Sequence, residues 1–410
     1  MRLSFKPELR GRVALPASKS ITNRVLLIRA LGNLVCAIDN AAVCDDTEAM
    51  ARAINATAAD TVVDIGAAGT AMRFATALLA TREGERHTLC GTERMHSRPI
   101  GVLVDALRAL GADIAYEGRE GYPPLAIAGC RLTGNTAELP AHISSQYISA
   151  LLMLGPVMPL GLQVKLHGDI VSRPYIDLTL GLMEEFGAST AWVGDSVINI
   201  RPGGYARTRP FTVESDWSAA SYWYELVALS PDENASVSLA GLSRYSMQGD
   251  SRVAEFFNNL GVHTAYTDSG VRLTKQPLPA APFLQLDLSE QPDLAQTLVV
   301  TCAMLRVPFH FTGLQSLRIK ETDRIAALST ELEKFGVSLQ TRSGGELLWD
   351  GHAGEPFVFL QVDTYDDHRM AMAFAPCALR YPGLTINNPE VVSKSYPRFW
   401  DTLRPYLRKS

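Results

Sequence analysis

The chain has 410 residues, of which 47% are hydrophobic and 20% are charged, and this composition is typical of a soluble globular protein with room for two domains. The net charge of −5 argues against a general nucleic-acid binder, so any basic cluster should serve a small anion. The six cysteines lie far apart without a CxxC pair, which argues against a zinc ribbon and against a secreted disulfide framework.

Neither the N-terminal segment nor the most apolar segment has the pattern of a membrane-targeting element. Residues 1–20 contain scattered Lys and Arg and no apolar run of signal-peptide length. The apolar stretch 148–164 is interrupted by two glycines and two prolines, which favours a buried helix and a turn over a membrane span. We therefore expect a cytoplasmic protein that does not associate with membranes.

A pattern of an amphipathic helix, a Leu or Phe, a Gly and a short strand occurs four times. A repeat of about 75 residues is too long for the familiar solenoids and has room for two helices and several strands. Each glycine suits the position just after a helix, where a left-handed backbone reverses the chain. The segments span residues 104–118, 181–195, 255–269 and 330–344, and their glycines are Gly111, Gly187, Gly261 and Gly336.

At this spacing the chain accommodates between five and six repeats, which predicts an α/β protein of two domains with three repeats each. The segment from Asp39 to Gly66 is too short for a complete repeat and lacks the helix, glycine and strand pattern. We expect that the first repeat has lost a hairpin.

In the first half of the chain, several predicted helix starts carry residues that suit anion binding. Ser18 precedes an apolar stripe, which places Lys19, Ser20 and Arg24 in or near a first helical turn. The small-residue loop 66–73 enters another helix, and its backbone N–H groups could approach a phosphate or carboxylate. Further starts are Arg94 to Pro99, with Pro99 expected in the first helical turn, Ser144-Ser145-Gln146, and Ser172-Arg173-Pro174-Tyr175. A serine that only caps its helix would give the same pattern.

The octet 318–325 is the densest cluster of charges at a predicted helix start. Apolar residues at helical spacing follow it, and Gly336 stands where that helix would end. Glu321 continues the apolar stripe, so we expect its carboxylate at the core side of the helix start, with Lys320 and Arg324 on a neighbouring face. A solvated, charged helix entrance remains the alternative.

Three more predicted helix starts, in the second half of the chain, also carry charged residues. Gln291-Pro292-Asp293 begins one helix, where the helix dipole should keep Asp293 ionised. Asp366-Asp367-His368-Arg369 precedes a helix predicted over 370–379, and Ser393-Lys394 precedes the last helix. His368 has no second histidine at ligand spacing, so we expect no metal site there.

Basic residues therefore recur at the N-terminal ends of different helices, joined by three serines. If these ends converge, they form a site for a substrate with several negative charges. Asp293 and Glu321 would lie in a strongly positive pocket, where carboxylates suit proton transfer better than ligand binding. The basic residues are Lys19, Arg24, Arg98, Lys320, Arg324, Arg369 and Lys394, and the serines are Ser144, Ser145 and Ser172.

At this point the sequence resembles the EPSP synthase family of enolpyruvyltransferases along essentially its whole length. Eight motifs occur in the family's order: Ser18-Lys19-Ser20 with Arg24, Ala68 to Arg73, Arg94-Met95 with Arg98-Pro99-Ile100, Ser144 to Tyr147, Ser172 to Asp177, Lys320 to Arg324, Asp367 to Ala371, and Lys394. The resemblance implies transfer of the enolpyruvyl group of phosphoenolpyruvate to the 5-hydroxyl of shikimate 3-phosphate. It implies no cofactor or metal, no nucleic-acid or membrane partner, and a monomer.

The resemblance also implies the fold and the roles of matching residues. The family fold has two inverted α/β domains of βαβαββ repeats, here residues 16–214 and residues 1–15 with 215–410, and an active site in the interdomain cleft. Asp293, Glu321 and Lys19 would be the catalytic residues. Shikimate 3-phosphate would contact Lys19, Ser20, Arg24, Ser144, Ser145, Ser172, Tyr175, Asp293, Ser316 and Lys320. Phosphoenolpyruvate would contact Lys19, Gly69, Arg98, Gln146, Arg324, Arg369 and Lys394.

Three positions depart from the family pattern, namely Ala67 for Asn, Phe74 for Pro, and Ser316 for Asn. The first two flank the phosphoenolpyruvate loop, so they bear on how tightly that substrate or glyphosate binds. The sister enzyme acting on UDP-N-acetylglucosamine commonly has a cysteine where this chain has Glu93, which disfavours that alternative. A non-catalytic anion-binding homologue is a second alternative, but it would not need both Asp293 and Glu321.

Overall fold

The computed structural model describes residues 1–57, 60–280 and 282–408. The chain divides into two compact units, the first formed by Ala17–Val213 and the second by Met1–Pro16 with Glu214–Ser410. Each unit has its own cluster of buried apolar side chains. The assignment of residues 16–214 and of 1–15 with 215–410 as enolpyruvyltransferase domains stays a prediction.

Helices and strands alternate along the described chain. The helices are α1 (Lys19–Leu31), α2 (Asp45–Asn55), α3 (Gly69–Ala80), α4 (Glu93–His96), α5 (Gly101–Ala109), α6 (Ser145–Leu154), α7 (Arg173–Glu185), α8 (Trp217–Leu229), α9 (Val253–Asn258), α10 (Ala295–Leu305), α11 (Arg324–Glu333), α12 (His368–Phe374) and α13 (Phe399–Leu403). Short 3-10 helices lie at Gly155–Val157, Gly249–Arg252, Pro292–Leu294, Gln315–Ile319, Ala375–Leu379, Pro389–Lys394 and Arg404–Tyr406.

The strands are short, as expected for small sheets that helices cover. They are β1 (Arg2–Leu3), β2 (Arg10–Ala14), β3 (Ile38–Asp39), β4 (Thr61–Asp64), β5 (Arg86–Cys90), β6 (Asp113–Tyr116), β7 (Leu125–Ala128), β8 (Thr136–Pro140), β9 (Leu162–His167), β10 (Thr190–Val193), β11 (Val197–Ile200), β12 (Phe211–Thr212), β13 (Ser236–Ala240), β14 (Val262–Thr267), β15 (Gly270–Lys275), β16 (Leu284–Asp287), β17 (Phe309–Thr312), β18 (Gln340–Arg342), β19 (Glu346–Trp349), β20 (Gln361–Val362) and β21 (Leu384–Ile386).

Four sheets of four strands share one topology, which confirms the predicted βαβαββ repeat. In three of these sheets two strands pair in parallel across a helix, whereas the parallel strands β2 and β13 are separated in sequence by the whole first unit; in all four a following hairpin adds two antiparallel strands. The first unit contains the orders β4-β5-β7-β6 and β10-β11-β9-β8, and the second contains β14-β15-β13-β2 and β16-β17-β19-β18. The remaining strands form a three-stranded sheet, β1-β21-β20, and a two-stranded sheet, β12-β3.

The first repeat is shortened, as predicted from the segment 39–66. It contributes α1, β3 and α2, and β3 pairs only with β12, at the end of the first unit. Among the described residues no hairpin lies between α2 and β4.

The four repeat glycines all have a left-handed backbone, with φ of +104° at Gly111, +90° at Gly187, +77° at Gly261 and +75° at Gly336. At three of these helix ends the next residue's N–H donates to the carbonyl five residues back, as in Ala112 N to Leu107 O at 2.9 Å. A side chain at these glycines would be strained, so the helix ends confirm the predicted chain reversal.

The helices of each repeat differ in burial. All of α10 from Ala295 to Met304 is buried, whereas α11 buries one face through Ile325, Leu328 and Leu332. Fully buried helices such as α10 contribute to the core of their unit. No helix in the described ranges is both long enough and apolar enough to cross a membrane.

Candidate active site

In the first unit, Arg24 is buried with 2% of its surface exposed. Its guanidinium donates to Thr179 Oγ1 at 2.7 Å, to Ser20 O at 2.9 Å and to Ser149 Oγ at 3.2 Å. Burial lowers the pKa of Arg24 to about 10, with Tyr175 acting in the opposite direction. The residue therefore stays protonated at neutral pH and carries a positive charge among neutral partners.

Lys19 is the first residue of α1, as predicted, and Ser18 caps the helix by accepting a hydrogen bond from Ile21 N at 3.4 Å. The Lys19 ammonium donates to Asp46 Oδ2 at 2.8 Å, and the two side chains are 15% and 4% exposed. Sequence reasoning missed Asp46 because an acid in the first turn of α2 has an ordinary explanation in the helix dipole.

Three of the first-unit residues predicted to hold phosphoenolpyruvate, Gly69, Arg98 and Gln146, lie on or against the start of α3. Gly69 begins α3, and a Cβ placed on it would lie 2.7 Å from Arg98 Nη1, so the guanidinium packs directly against this glycine. Gln146 Nε2 donates to Thr70 Oγ1 at 3.0 Å. Arg73, the last residue of the motif Ala68 to Arg73, supports the loop by donating to Gly69 O at 3.1 Å.

The three predicted serines all lie at helix starts in the first unit. Ser144 caps α6 and accepts from Gln146 N at 3.4 Å, which is the ordinary capping interpretation, and Ser145 is the first residue of α6. Ser172 precedes α7 with a left-handed backbone, φ +59°. Helices α6 and α7 pack together, and Ser149 and Thr179 bond each other at 2.8 Å while both contact Arg24.

In the second unit, Arg324 is 2% exposed and lies among three carboxylates. Its Nε donates to Asp367 Oδ2 at 2.6 Å, its Nη1 to Asp293 Oδ1 at 3.2 Å, and its Nη2 to Glu321 Oε2 at 3.0 Å. Arg369 Nη2 donates to the other oxygen of Asp293 at 2.8 Å. The two arginines thus share Asp293. Together they form a cluster of positive charges that is bonded to three carboxylates of the protein.

Asp293 is ionised in this setting. Burial alone would raise its pKa, but Arg369, Lys320 and Arg324 outweigh that effect and hold the pKa well below its usual range. The sequence predicted an ionised Asp293 from the helix dipole, whereas the structure assigns the effect to side-chain cations. Asp293 lies in the 3-10 turn Pro292–Leu294 that leads into α10.

The structure corrects the placement of Glu321. Helix α11 begins at Arg324 with Asp323 as its cap, so Glu321 and Lys320 lie in the preceding bend and do not share a helical face with Arg324. Asp323 Oδ1 accepts from Ala326 N at 3.1 Å, which makes this aspartate the residue that starts the helix. The Glu321 carboxylate nonetheless reaches Arg324, and Lys394 Nζ lies 3.8 Å from it.

Two further helix predictions are corrected. Pro99 lies before the cap of α5 and not in its first turn, because residues 93–96 form the separate helix α4. The helix predicted over 370–379 is α12, which begins at His368, followed by a 3-10 helix. Arg318 donates to Asp323 at 3.2 Å, as expected for partners that hold the turn.

Two acidic residues of the second unit have roles that the sequence did not predict. Asp367 is fully buried, caps α12 by accepting from Arg369 N at 2.9 Å, and also binds Arg324. Asp250 is 3% exposed and accepts a hydrogen bond from Ser218 Oγ, and burial together with the charge of Asp293 raises its pKa to about 7. In the sequence, the one signal that could have indicated the role of Asp367 as a helix cap and arginine partner is its position two residues before Arg369.

Ser316, which stands where the family has Asn, lies in the 3-10 helix before the octet, and its Oγ is buried without a hydrogen-bond partner in the described chain. This hydroxyl is a shorter polar group than the amide of Asn. In the ranges that the structure describes, no group of three or more His, Cys, Asp or Glu has a geometry suited to a metal ion.

Several known proteins are similar to this chain over nearly its whole length. The family model described as EPSP synthase (3-phosphoshikimate 1-carboxyvinyltransferase) matches residues 5–61 and 52–403. A Bacteroides fragilis protein named 3-phosphoshikimate 1-carboxyvinyltransferase is 55% identical over 402 residues, covering 98% of this chain and 96% of its own. A Colwellia psychrerythraea protein of the same name is 35% identical, with 98% of each chain covered.

A solved EPSP synthase structure from Acinetobacter baumannii has the same fold. It superimposes with a TM-score of 0.76 at 21% identity and covers 99% of this chain and 97% of its own. Because the family model and the close relatives extend over nearly the whole sequence, the chain belongs to the EPSP synthase family.

Proposed function

We propose that this protein transfers the enolpyruvyl group of phosphoenolpyruvate to the 5-hydroxyl of shikimate 3-phosphate, releasing phosphate, in aromatic amino-acid biosynthesis. The observation that carries the proposal is the 55% identity to a protein named for this activity across 98% of the chain. The proposal is also supported by the position of Asp293, which is bonded to both Arg324 and Arg369. A substrate with three negative charges requires clustered cations, and the proton transfers of this reaction require carboxylates.

Shikimate 3-phosphate would be held by the first-unit residues around Arg24 and by second-unit residues. The buried guanidinium has neutral partners, so a phosphate would be its first full counter-charge among the contacts described above. The other contacts would be Lys19, Ser20, Ser144, Ser145, Ser172, Tyr175, Asp293, Ser316 and Lys320.

Phosphoenolpyruvate would be held by the Gly69 loop with Arg98 and Gln146, by Lys19 and Lys394, and by the arginine pair. In this structure, Arg324 and Arg369 are bonded to Asp293, Glu321 and Asp367. The substrate carboxylate would therefore compete with the protein's own carboxylates. Each arginine that turns toward the substrate would release part of the field that depresses the pKa of Asp293, making this carboxylate a stronger base.

The reaction would proceed by addition and elimination. Glu321, with Lys19, would deliver a proton to the methylene carbon, which leaves the adjacent carbon cationic. The 5-hydroxyl would attack that carbon and give its proton to Asp293. The tetrahedral adduct would then lose phosphate as the new methyl group returns a proton to Glu321 with Lys19, which restores the vinyl group on the new ether. Fixed cations would stabilise the charge that develops on the leaving phosphate.

A phosphate-release assay with both substrates, repeated with each one omitted, tests the proposal. Release should require both substrates, and release with phosphoenolpyruvate alone would rule the transferase out. Replacing shikimate 3-phosphate by UDP-N-acetylglucosamine tests the sister activity, which Glu93 disfavours.

The role of Glu321 has its own test. Glu321→Gln should lower turnover by roughly a hundredfold or more, the usual loss for an acid or base group, while calorimetry still detects binding of shikimate 3-phosphate. Turnover equal to that of the unmodified enzyme would remove Glu321 from proton transfer, and a non-catalytic homologue would show binding with no turnover in either protein.

We further propose that the protein is cytoplasmic and monomeric. Six free cysteines support a reducing compartment. Light scattering coupled to size exclusion measures the oligomeric state directly, and a mass near 44.6 kDa is expected.

A further inference from the structure

Glu331 is a completely buried carboxylate on α11, seven residues after Arg324 and therefore on the same helix face. It is not among the residues assigned to either substrate. Its Oε1 accepts from Tyr365 Oη at 2.7 Å and its Oε2 accepts from Asp363 N at 3.1 Å. Lys334 Nζ lies 2.8 Å from Oε2, so the buried negative charge has a cation beside it.

Two partners of Glu331, Asp363 and Tyr365, belong to the segment 363–367, which leads directly into α12. Tyr365 and Asp366 both have left-handed backbones, φ +53° and +54°, a conformation that residues other than glycine rarely adopt. Two such residues in succession persist only where surrounding contacts hold them. The hydroxyl and backbone contacts to Glu331 are contacts of that kind.

The segment ends at Asp367, the carboxylate that binds Arg324 and caps the helix that begins with His368 and Arg369. Helix α11 is thus bonded to this segment at two points, through Arg324 to Asp367 and through Glu331 to Asp363 and Tyr365. Lys334 strengthens the second point by donating to Gln361 O at 3.0 Å and to Asp363 Oδ2 at 3.1 Å. A shift of the segment would move Asp367, and with it both arginines.

We propose that Glu331 is a positioning residue that fixes the 363–367 segment so that Asp367 holds Arg324 and Arg369 in their binding geometry. The inference rests on the proposed function, in which these arginines bind phosphoenolpyruvate. Glu331 contacts no reacting atom in this role. Its loss should therefore weaken phosphoenolpyruvate binding selectively, because the arginine pair is assigned to that substrate.

The test compares Glu331→Ala and Tyr365→Phe with the control Glu333→Ala, which removes a carboxylate from the exposed face of the same helix. Hydrogen exchange of the full-length, ligand-free proteins should be faster across residues 361–369 in the first two variants and unchanged in the control. In the phosphate-release assay, Glu331→Ala should raise KM for phosphoenolpyruvate roughly tenfold, the scale of a lost hydrogen bond to a charged group. KM for shikimate 3-phosphate should change by less than about twofold.

Tyr365→Phe removes a single hydroxyl and should change exchange and KM in the same direction by a smaller factor. It also carries the test if Glu331→Ala does not fold. Equal increases in KM for both substrates, or a lower melting temperature with unchanged exchange and KM, would overturn the proposal and leave Glu331 a structural residue. Absence of turnover in the unmodified protein would reject the proposed function instead, and the exchange measurement would still decide whether Glu331 holds the segment.

Discussion

Replacing Arg324 by Met should destabilise the second unit and should do so in a pH-dependent way. Arg324 is 2% exposed, and its guanidinium bonds Asp367, Asp293 and Glu321 within 2.6 to 3.2 Å. Met fills much of the same volume without the charge. The substitution therefore tests the electrostatic contribution of Arg324 more cleanly than a truncation to Ala would.

The size of the effect follows from which carboxylates keep a partner. Asp293 retains Arg369 at 2.8 Å, and Glu321 retains Lys394 at 3.8 Å. Asp367 is completely buried and keeps only its capping bond from Arg369 N among the contacts described above, so it bears most of the cost. Removing one partner of a buried ion pair costs about 3–5 kcal/mol, and we expect about 3 kcal/mol because two of the three carboxylates remain paired.

The pH dependence has a definite sign. The pKa of Asp293 is depressed in the folded protein, so this group contributes stability that is present above its unfolded pKa of about 3.9 and is lost as the pH falls. Without Arg324 that contribution shrinks, and the difference between the two proteins should be largest near neutral pH. At about pH 4 or below, protonation of the carboxylates should reduce the difference.

Urea denaturation of both proteins at pH 7.5 and pH 3.5 measures these free energies of unfolding. The matched control is Arg318→Met, since Arg318 belongs to the same octet but is paired with Asp323 at the surface, with 45% and 38% of the two side chains exposed. That pair should contribute less than about 1 kcal/mol. Equal losses in the two variants, or a loss for Arg324→Met that does not shrink at acid pH, would refute the reasoning.

Three further predictions concern residues that pack against, or carry charge beside, the proposed substrate-binding residues. Gly69→Ala should displace Arg98, since the new Cβ would lie 2.7 Å from Nη1, and should raise KM for phosphoenolpyruvate roughly tenfold with melting temperature nearly unchanged; an unaltered KM would contradict the packing argument. Phe74→Leu removes the buried ring whose centroid lies 5.5 Å from the Arg24 guanidinium. We expect the free energy of unfolding to fall by about 1–2 kcal/mol and KM for shikimate 3-phosphate to rise. The control Phe309→Leu should lower the free energy of unfolding and leave KM unchanged. Asp250→Asn should raise the melting temperature more at pH 8 than at pH 5. Burial raises the pKa of Asp250 to about 7, and an acid whose pKa is raised in the folded state destabilises the folded protein increasingly as the pH rises from about 4 to 7. A gain in melting temperature that is the same at both pH values would count against this assignment.

Much of the fold could be predicted from local sequence alone. The glycines of the repeat require a left-handed backbone that other residues avoid, so their spacing marks the helix ends, and all four have the predicted positive φ. The apolar spacing after the octet predicted the buried face of α11 for the same local reason. The missing hairpin of the first repeat was predicted because the segment from Asp39 to Gly66 has too few residues for a complete repeat.

The electrostatic arrangement within each unit depended on contacts between residues far apart in sequence. Arg324 binds Asp293 and Asp367, which lie 31 and 43 residues away, and no local pattern predicts such pairs. The same holds for Lys19 with Asp46, for the ring of Phe74 beside Arg24, and for Glu331 with Tyr365. The first residue of α11 also depended on its cap. The Asp323 side chain caps the helix, so α11 begins at Arg324 and does not extend back to Glu321 as the apolar stripe predicted.

The sequence by itself therefore determined the repeat, the helix ends and the residue types that gather at helix starts, because these depend on backbone conformation and on the periodicity of apolar residues. Tertiary structure alone decided which cation neutralises which carboxylate and hence the protonation state of Asp293, since charge interactions act through space over a few ångströms and take no account of separation along the chain.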